Sequence, residues 1–343
     1  MMSYIVQRLL LMIPTFIGIT LLSFLIINLL PGDPAALRAG GGLGAAGSEG
    51  LSTEGQSTVD AAIKAWQTQY GLDKPLYVQY AYWLRNLFTL EFGESFKDNQ
   101  PVWHKIAERL PVTMQLNAIS IVVIYLVAIP LGIYSATHPY SAGDQLTTFL
   151  AFMLFALPSF WIGILAIVFL CGGDFWDWFP PGSLQSIDYS PNWPLWQRWL
   201  DRAWHLCLPV MILSYNAFAG LSRFMRSSML EHLQQEFVQT ARAKGLAERV
   251  VIYKHVLRNS LIPIVTIMAA IIPGLISGSV IIETIFSIPG LGLLAYEAVL
   301  ARDYPIIMAV FTISALLTLV SILISDLLLT VVDPRITFSG RMA

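Results

Sequence analysis

Six apolar runs alternate with polar segments along the 343-residue chain. Leu9–Leu30 holds 22 residues without a charge. At about 1.5 Å per helical residue it reaches about 33 Å, enough to cross a hydrocarbon core of about 30 Å. Val112–Tyr134, Leu146–Leu170 and Leu261–Ile282 are likewise uncharged. Trp204–Leu221 is shorter and opens on Trp204 and His205, and Pro305–Val332 carries a single charge, Asp326. Lipid offers no partner to backbone polar groups, so the pattern predicts six helices rather than strands with open edges. Arg8 precedes the first run as it would in a secretory signal. That run is longer than the usual apolar core of about 7–15 residues, and Pro31-Gly32-Asp33-Pro34 closes it as a turn, so we read a retained span.

Basic residues orient the spans. Seven Lys/Arg lie between Arg223 and Arg258 against three acids, Glu231, Glu236 and Glu248. A loop that basic is held on the cytoplasmic side. The inner segments are then Met1–Arg8, Ser135–Gly143, Ser222–Ser260 and Asp333–Ala343. The outer ones are Pro31–Leu110, Gly172–Ala203 and Glu283–Tyr304. This divides the chain into an N-terminus with first span (1–30), an outer segment (31–110) and a five-span core (111–343) holding the basic loop 222–260. In the outer segment Gly40–Ser57 reads as flexible, whereas Val59–Tyr70 and Pro75–Leu90 have helical spacing, giving a small helical insertion. Trp176, Trp178, Trp193, Trp196, Trp199 and Trp204 crowd the second outer loop and fit either an interfacial aromatic belt or a small packed loop.

Composition agrees with lipid as solvent: 56% of residues are hydrophobic and 12% charged, against about 25% charged in soluble domains. A net charge of −2 argues against a nucleic-acid partner. Cys171 and Cys207 are too few for a disulfide framework or a metal cluster; two isolated thiols are favoured over one bridge. The chain has no G-x-x-x-x-G-K-[ST], H-E-x-x-H, G-x-S-x-G or C-x-x-C, and five scattered histidines make no ligand set. No catalytic residue, metal site or cofactor site is expected, and energy, if used, comes from a partner.

The basic loop has a readable design. Glu231–Lys244 spaces Leu233, Phe237 and Ala241 as an amphipathic helix, Gly245 ends it, and Ala247–Leu257 resumes. Ala241, Ala243 and Gly245 form a small-residue corner where a partner surface can approach, with Phe237 and Leu246 as anchors; the plain alternative is a solvated basic loop. Elsewhere, Gly274 and Gly278 in the fifth run have G-x-x-x-G spacing beside Ser277 and Ser279, expected to pack helices closely, to line a pathway at a subunit interface, or both. Asp326 is costly in lipid and is expected to face protein, paired or hydrogen-bonded. Asn28, Gln115 and Asn117, near the outer ends of the first two spans, suit interhelical hydrogen bonds, with substrate contact as the alternative. Glu283 is placed at the outer mouth, to meet a peptide amine or simply as a solvated end charge.

The same segment resembles the cytoplasmic loop of ABC-importer permeases, an E-A-A, three residues, Gly, nine residues, I-x-L-P pattern. Aligned on Gly245, only Ala241, Gly245 and Leu257 agree with it. T-A-R-A-K-G-L (Thr240–Leu246) followed by H-V-L-R-N-S-L-I-P (His255–Pro263) is similar to the form found in the dipeptide/oligopeptide/nickel permease family. Y-I-V-Q-R-L-L-L-M-I-P-T (Tyr4–Thr15), L-L-P-G-D-P-A (Leu29–Ala35), R-L-P-V-T-M-Q-L (Arg109–Leu116), F-S-I-P-G-L-G-L-L (Phe286–Leu294), A-R-D-Y-P (Ala301–Pro305) and V-D-P-R-I (Val332–Ile336) extend the resemblance over essentially the whole chain. The Gly-rich insertion and Cys171–Pro180 resemble most the branch that imports microcin C-type peptides.

The resemblance implies an all-α, six-span type I ABC-importer permease of a bacterial inner membrane, with both termini cytoplasmic. It implies a related second permease subunit, two ATP-binding subunits holding ATP and Mg, and a periplasmic or lipoprotein substrate-binding protein. Gln235, Glu236, Phe237, Thr240, Ala241, Arg242, Ala243, Lys244, Gly245 and Leu246, with His255, Leu257 and Arg258, would couple to the ATPase. Readings as a nickel or other small-solute importer, as a gradient-driven transporter or channel, or as an intramembrane enzyme are the alternatives. The last two want charged relays or paired catalytic groups at depth, and Asp326 is the lone charge within the six runs.

Overall fold

The computed structural model describes residues 2–29, 74–89, 91–172, 175–271, 274 and 278–332. Every regular element among them is helical; two isolated bridges, Glu94 with Pro101 and Cys171 with Asp177, complete the backbone pattern. Among the described residues, five helices are long and apolar enough to cross a membrane. They lie in α1 (Met2–Leu29), α3 (Val102–Thr137), α6 (Leu195–Leu233), the stretch Glu248–Met268, and α12 (Tyr304–Val332). Between the first two, α2 (Leu76–Phe88) covers the helix expected over Pro75–Leu90. The expected flexible stretch Gly40–Ser57 and helix Val59–Tyr70 lie outside the described residues.

The third apolar run departs from a straight span. It folds as α4 (Ala142–Ala156) and α5 (Ser159–Leu170), bent by 99°. Pro158 has no N–H to donate, and its ring drives Leu157 out of the helical region to φ −89°, ψ 129°. The carbonyl of Leu157 accepts a hydrogen bond from the Tyr215 hydroxyl of α6 at 2.6 Å, so a bend that would strand a polar group in lipid is satisfied by protein.

The fifth run also differs from one continuous helix over Leu261–Ile282. Its apolar span begins far upstream, inside the basic loop. A short α8 (Glu248–Val250) passes through a π-helical turn (Val251–Val256) into α9 (Leu257–Ile271). Gly278 then takes φ +65°, which no helix allows, and a new helix, α10 (Val280–Ile285), starts with the Ser279 hydroxyl accepting the Ile282 N–H. The G-x-x-x-G spacing is therefore not a helix-packing face. Gly278 serves a left-handed turn instead.

The residues fall into two compact units. In the first (Met1–Tyr4, Arg109–Leu294, Leu317–Ala343), one core gathers Leu116, Leu206, Ile212, Ile282, Phe286 and Ile288. A second gathers Met225, Met229, Val238, Val251, Val256 and Ile264. In the second unit (Ile5–Glu108, Ala295–Leu316), Tyr80 of α2 hydrogen-bonds Thr20 of α1 at 2.9 Å and packs edge-on against Phe24. Buried Asp303, between α11 (Leu291–Ala301) and α12, accepts the Ser95 hydroxyl at 2.5 Å and the Phe96 N–H at 3.1 Å. A carboxylate so placed ties a loop to a helix start across 207 or more residues of chain.

Candidate functional site

The basic segment folds as a braced corner. The expected helix Glu231–Lys244 is broken: α6 ends at Leu233, Gln235 is extended, and α7 runs over Glu236–Ala243. The break redirects the amphipathic face. Val238, at 0% exposure, and Ala241 point into the core formed with Met225, Met229, Val251 and Val256. Phe237 is left exposed, together with Gln235, Glu236, Thr240, Arg242, Ala243, Lys244, Gly245 and Leu246. Ala241 is therefore small because its own chain packs against it, not because a partner approaches it. Phe237, Ala243, Gly245 and Leu246 stay available to one.

Gly245 closes the corner. It takes φ +76°, its N–H donates to the Arg242 carbonyl at 2.9 Å, and the Leu246 N–H reaches the Ala241 carbonyl at 3.4 Å. This pair of bonds is the Schellman arrangement of a helix end. Arg242 then grips Glu248 across the turn, Nε to Oε2 at 3.2 Å and Nη2 to Oε1 at 2.5 Å. Both side chains are about half exposed, so the pair sets geometry more than stability. The π turn finishes the design: an i→i+5 winding brings Val251 and Val256, five apart and both fully buried, towards one face. His255 and Leu257 are half-buried beside them and Arg258 is exposed.

Two buried carboxylates of this unit are held by several donors each. Asp144, at 3% exposure, accepts from Arg226 Nε at 2.9 Å, Arg226 Nη2 at 2.8 Å, the Ser135 hydroxyl at 2.5 Å and the Tyr140 N–H at 2.9 Å. Neither member of the pair stood out in the sequence, since 82 residues separate them. The second is Glu283. It is neither a solvated end charge nor placed to greet a peptide amine: its exposure is 0%. It accepts from the Thr113 hydroxyl (3.0 Å), the Ser279 N–H (3.3 Å) and the Leu293 N–H (3.0 Å). Thr113 Oγ1 in turn accepts the Leu291 N–H at 2.8 Å. The neighbouring glycines make room, for a Cβ on Gly290 would sit 2.4 Å from Glu283 Oε2 and one on Gly292 2.9 Å from it. Burial pushes this carboxyl above its ordinary value, against the pull of these donors.

A family model described as the binding-protein-dependent transport system inner membrane component matches residues 128–338, and the N-terminal part of such components matches residues 1–117. The chain belongs to this family. It is similar to the oligopeptide transport system permease protein AppB of Bacillus subtilis, 40% identical over 339 residues spanning 98% of this chain and 100% of the relative. It is equally similar, at 40% over 362 residues and 99% of both chains, to the peptidoglycan transport system permease protein YejB of Agrobacterium fabrum. The dipeptide transport system permease protein DppB of Escherichia coli K12 is 34% identical over 352 residues, spanning 98% of this chain and 99% of the relative. As an ABC-system membrane component the chain is a multi-pass inner-membrane protein and a non-catalytic subunit; separate subunits hydrolyse ATP.

The corner, Asp144, Arg226 and Glu283 all fall inside the matched permease component. Of the other polar candidates, Asn117 of α3 donates to the carbonyl of Gly274, which lies past the end of α9, at 3.2 Å. Ser279 caps α10, and Asp326 is half-buried on α12. Ser277 and the side chain of Asn28 lie outside the described residues. Cys171 and Cys207 are free thiols. Trp176 and Trp178 stack at 5.0 Å and are exposed, as are Trp196, Trp199 and Trp204, while Trp193 is half-buried against Tyr189 and Trp204 stacks on Phe179 at 4.7 Å.

Proposed function

We propose that the chain is the permease subunit of an ATP-driven peptide importer. It forms half of the translocation pathway beside a related permease and receives an ATP-binding subunit on the corner Gln235–Arg258. The relatives named for oligopeptide and dipeptide transport support the peptide substrate; a microcin C-type peptide is the narrower reading, resting on the resemblance of the Gly-rich insertion and Cys171–Pro180 to that branch. The corner's basic charge favours a cytoplasmic position, with both termini on that side. A periplasmic or lipoprotein binding protein delivers the substrate. Two subunits holding ATP and Mg supply the stroke; this chain needs no cofactor of its own.

One observation carries the reading. α7 is fastened from beneath by Val238 and Ala241, while Phe237 on it and Lys244 and Leu246 just past its end are exposed. A helix so mounted acts as a rigid lever, and rigid levers shift bistable bundles between states. The test is a Lys244→Cys permease with Cys171 and Cys207 replaced by Ser, crosslinked in native membranes. The expected adduct is with the ATP-binding subunit. Adducts with outer-face proteins alone, or none in an importer that still transports, would refute the proposal.

A further inference from the structure

We propose that the Asp144–Arg226 ion pair is the joint that carries motion of the α7 corner into the bent α4–α5 segment, which makes both residues positioning residues for energy coupling. The inference rests on the corner being the ATPase docking site. Its own argument begins with the four donors on Asp144. They come from three places: Ser135 at the end of α3, the Tyr140 N–H in the turn between α3 and α4, and the guanidinium of Arg226 on α6. Ser141 caps α4, its hydroxyl accepting the Asp144 N–H at 3.2 Å, so the carboxylate is fixed to the first turn of that helix.

On α6, one turn serves both neighbours. Met225 and Met229, each fully buried, belong to the core that holds Val238 and Ala241 of α7, and Arg226 between them turns to Asp144. The spacing leaves no slack on the α3 side either: a Cβ on Gly132 would lie 2.5 Å from Met225 Cβ and 2.8 Å from the Ser222 carbonyl. α3, α4 and α6 thus meet at residues 222–229, and the core around Met225 and Met229 extends through Val251 and Val256 of the π turn to α7. A displacement of α7 reaches α4 through packed side chains and one two-pronged ionic clamp.

The chemistry suits transmission better than stability. A buried ion pair gives little net stabilisation over an apolar substitute of the same shape, because desolvation offsets the attraction. What a bidentate Arg–carboxylate contact adds is a fixed angle as well as a fixed distance. Lysine keeps the charge but supplies a point contact, so Arg226→Lys retains the attraction and releases the angle.

The experiment uses the complete importer complex with Cys171 and Cys207 replaced by Ser and spin labels at Ala142→Cys, exposed at the start of α4, and Lys244→Cys, exposed on the corner. Distances between the labels are measured nucleotide-free and after trapping with ATP and vanadate. The unmutated pair should keep one narrow distance in both states, since α4 and α7 move as one body. Asp144→Asn and Arg226→Lys should each broaden or shift that distance on trapping while ATP hydrolysis continues. A distance that changes on trapping with the pair intact, or variants that behave identically to it, would overturn the inference. Should Asp144→Asn not assemble, the milder Arg226→Lys decides alone. Label mobility at position 244 separates the two readings: if it is not restricted on adding the ATP-binding subunits, the docking itself is wrong, whatever the joint does.

Discussion

Replacing Gly245 separates the shape of the corner from its use. The residue sits at φ +76°, and a Cβ added there meets nothing within 4 Å. Its substitution cost in this chain is therefore purely conformational: about 1–2 kcal/mol for an ordinary L-residue held left-handed, and less for asparagine, which visits that region more readily. Against a typical stability of about 5–15 kcal/mol, neither Gly245→Ala nor Gly245→Asn should prevent insertion or folding. If conformation were all that mattered, asparagine would be the better tolerated of the two. Docking reverses the order for coupling, because asparagine places a larger polar group on the contact surface. We expect Gly245→Asn to be the more stable variant in thermal unfolding and at least as impaired in substrate-stimulated ATP hydrolysis and uptake in proteoliposomes. Wild-type coupling in the asparagine variant, with alanine alone defective, would show that the turn matters only as a turn.

Two further outcomes follow from groups away from the corner. Glu283→Ala strips the acceptor from three donors, the buried Thr113 hydroxyl and the part-buried N–H groups of Ser279 and Leu293. At about 1–3 kcal/mol for a buried unsatisfied donor, the purified complex should lose about that much for the hydroxyl and a smaller amount for each N–H, and Glu283→Gln less; equal melting curves for the two variants would contradict the network. Cys171 lies past the end of α5, where burial first and the Asp177 charge second push its thiol above the ordinary value. The thiolate fraction is therefore low at neutral pH and grows only as pH climbs past the ordinary thiol range. Maleimide labelling followed by mass spectrometry should be slow at pH 7, accelerate above pH 9, and quicken at fixed pH in Asp177→Asn. A flat rate across that range would refute the assignment.

Much of this architecture is written in runs of apolar residues, because lipid enforces one rule over 20 residues at a time. The helices α1, α3 and α12 follow from that rule alone, and Gly245 announces its turn by being the glycine after a periodic stretch. What escaped was set by single residues. Pro158 sits within an uncharged run, and only its effect on Leu157 makes a right-angled bend of a straight span. The inward choice of Val238 over Phe237 depends on a break at Gln235 that no periodicity marks, since a shift of one residue rotates the whole face. Asp144 belongs to no motif and Arg226 is one of seven basic residues in its loop, because their meaning is a contact across 82 residues. Glu283 carried a usable signal: a carboxylate bracketed by Gly278, Gly290 and Gly292 has room made for it, and room is made for buried groups, not for solvated ones.

The wide turn at Val251–Val256 has a consequence for how this chain tolerates change. A π turn is an α turn that has taken in one extra residue. Removing any one of V-I-Y-K-H-V therefore lets the stretch relax into regular winding with the segments on either side at nearly their old bearing. The same deletion in a regular turn, where each residue advances the helix by about 100°, would swing everything before it by that angle. Single-residue deletions inside these six positions should thus be easier to accept than deletions in the regular turns of α9.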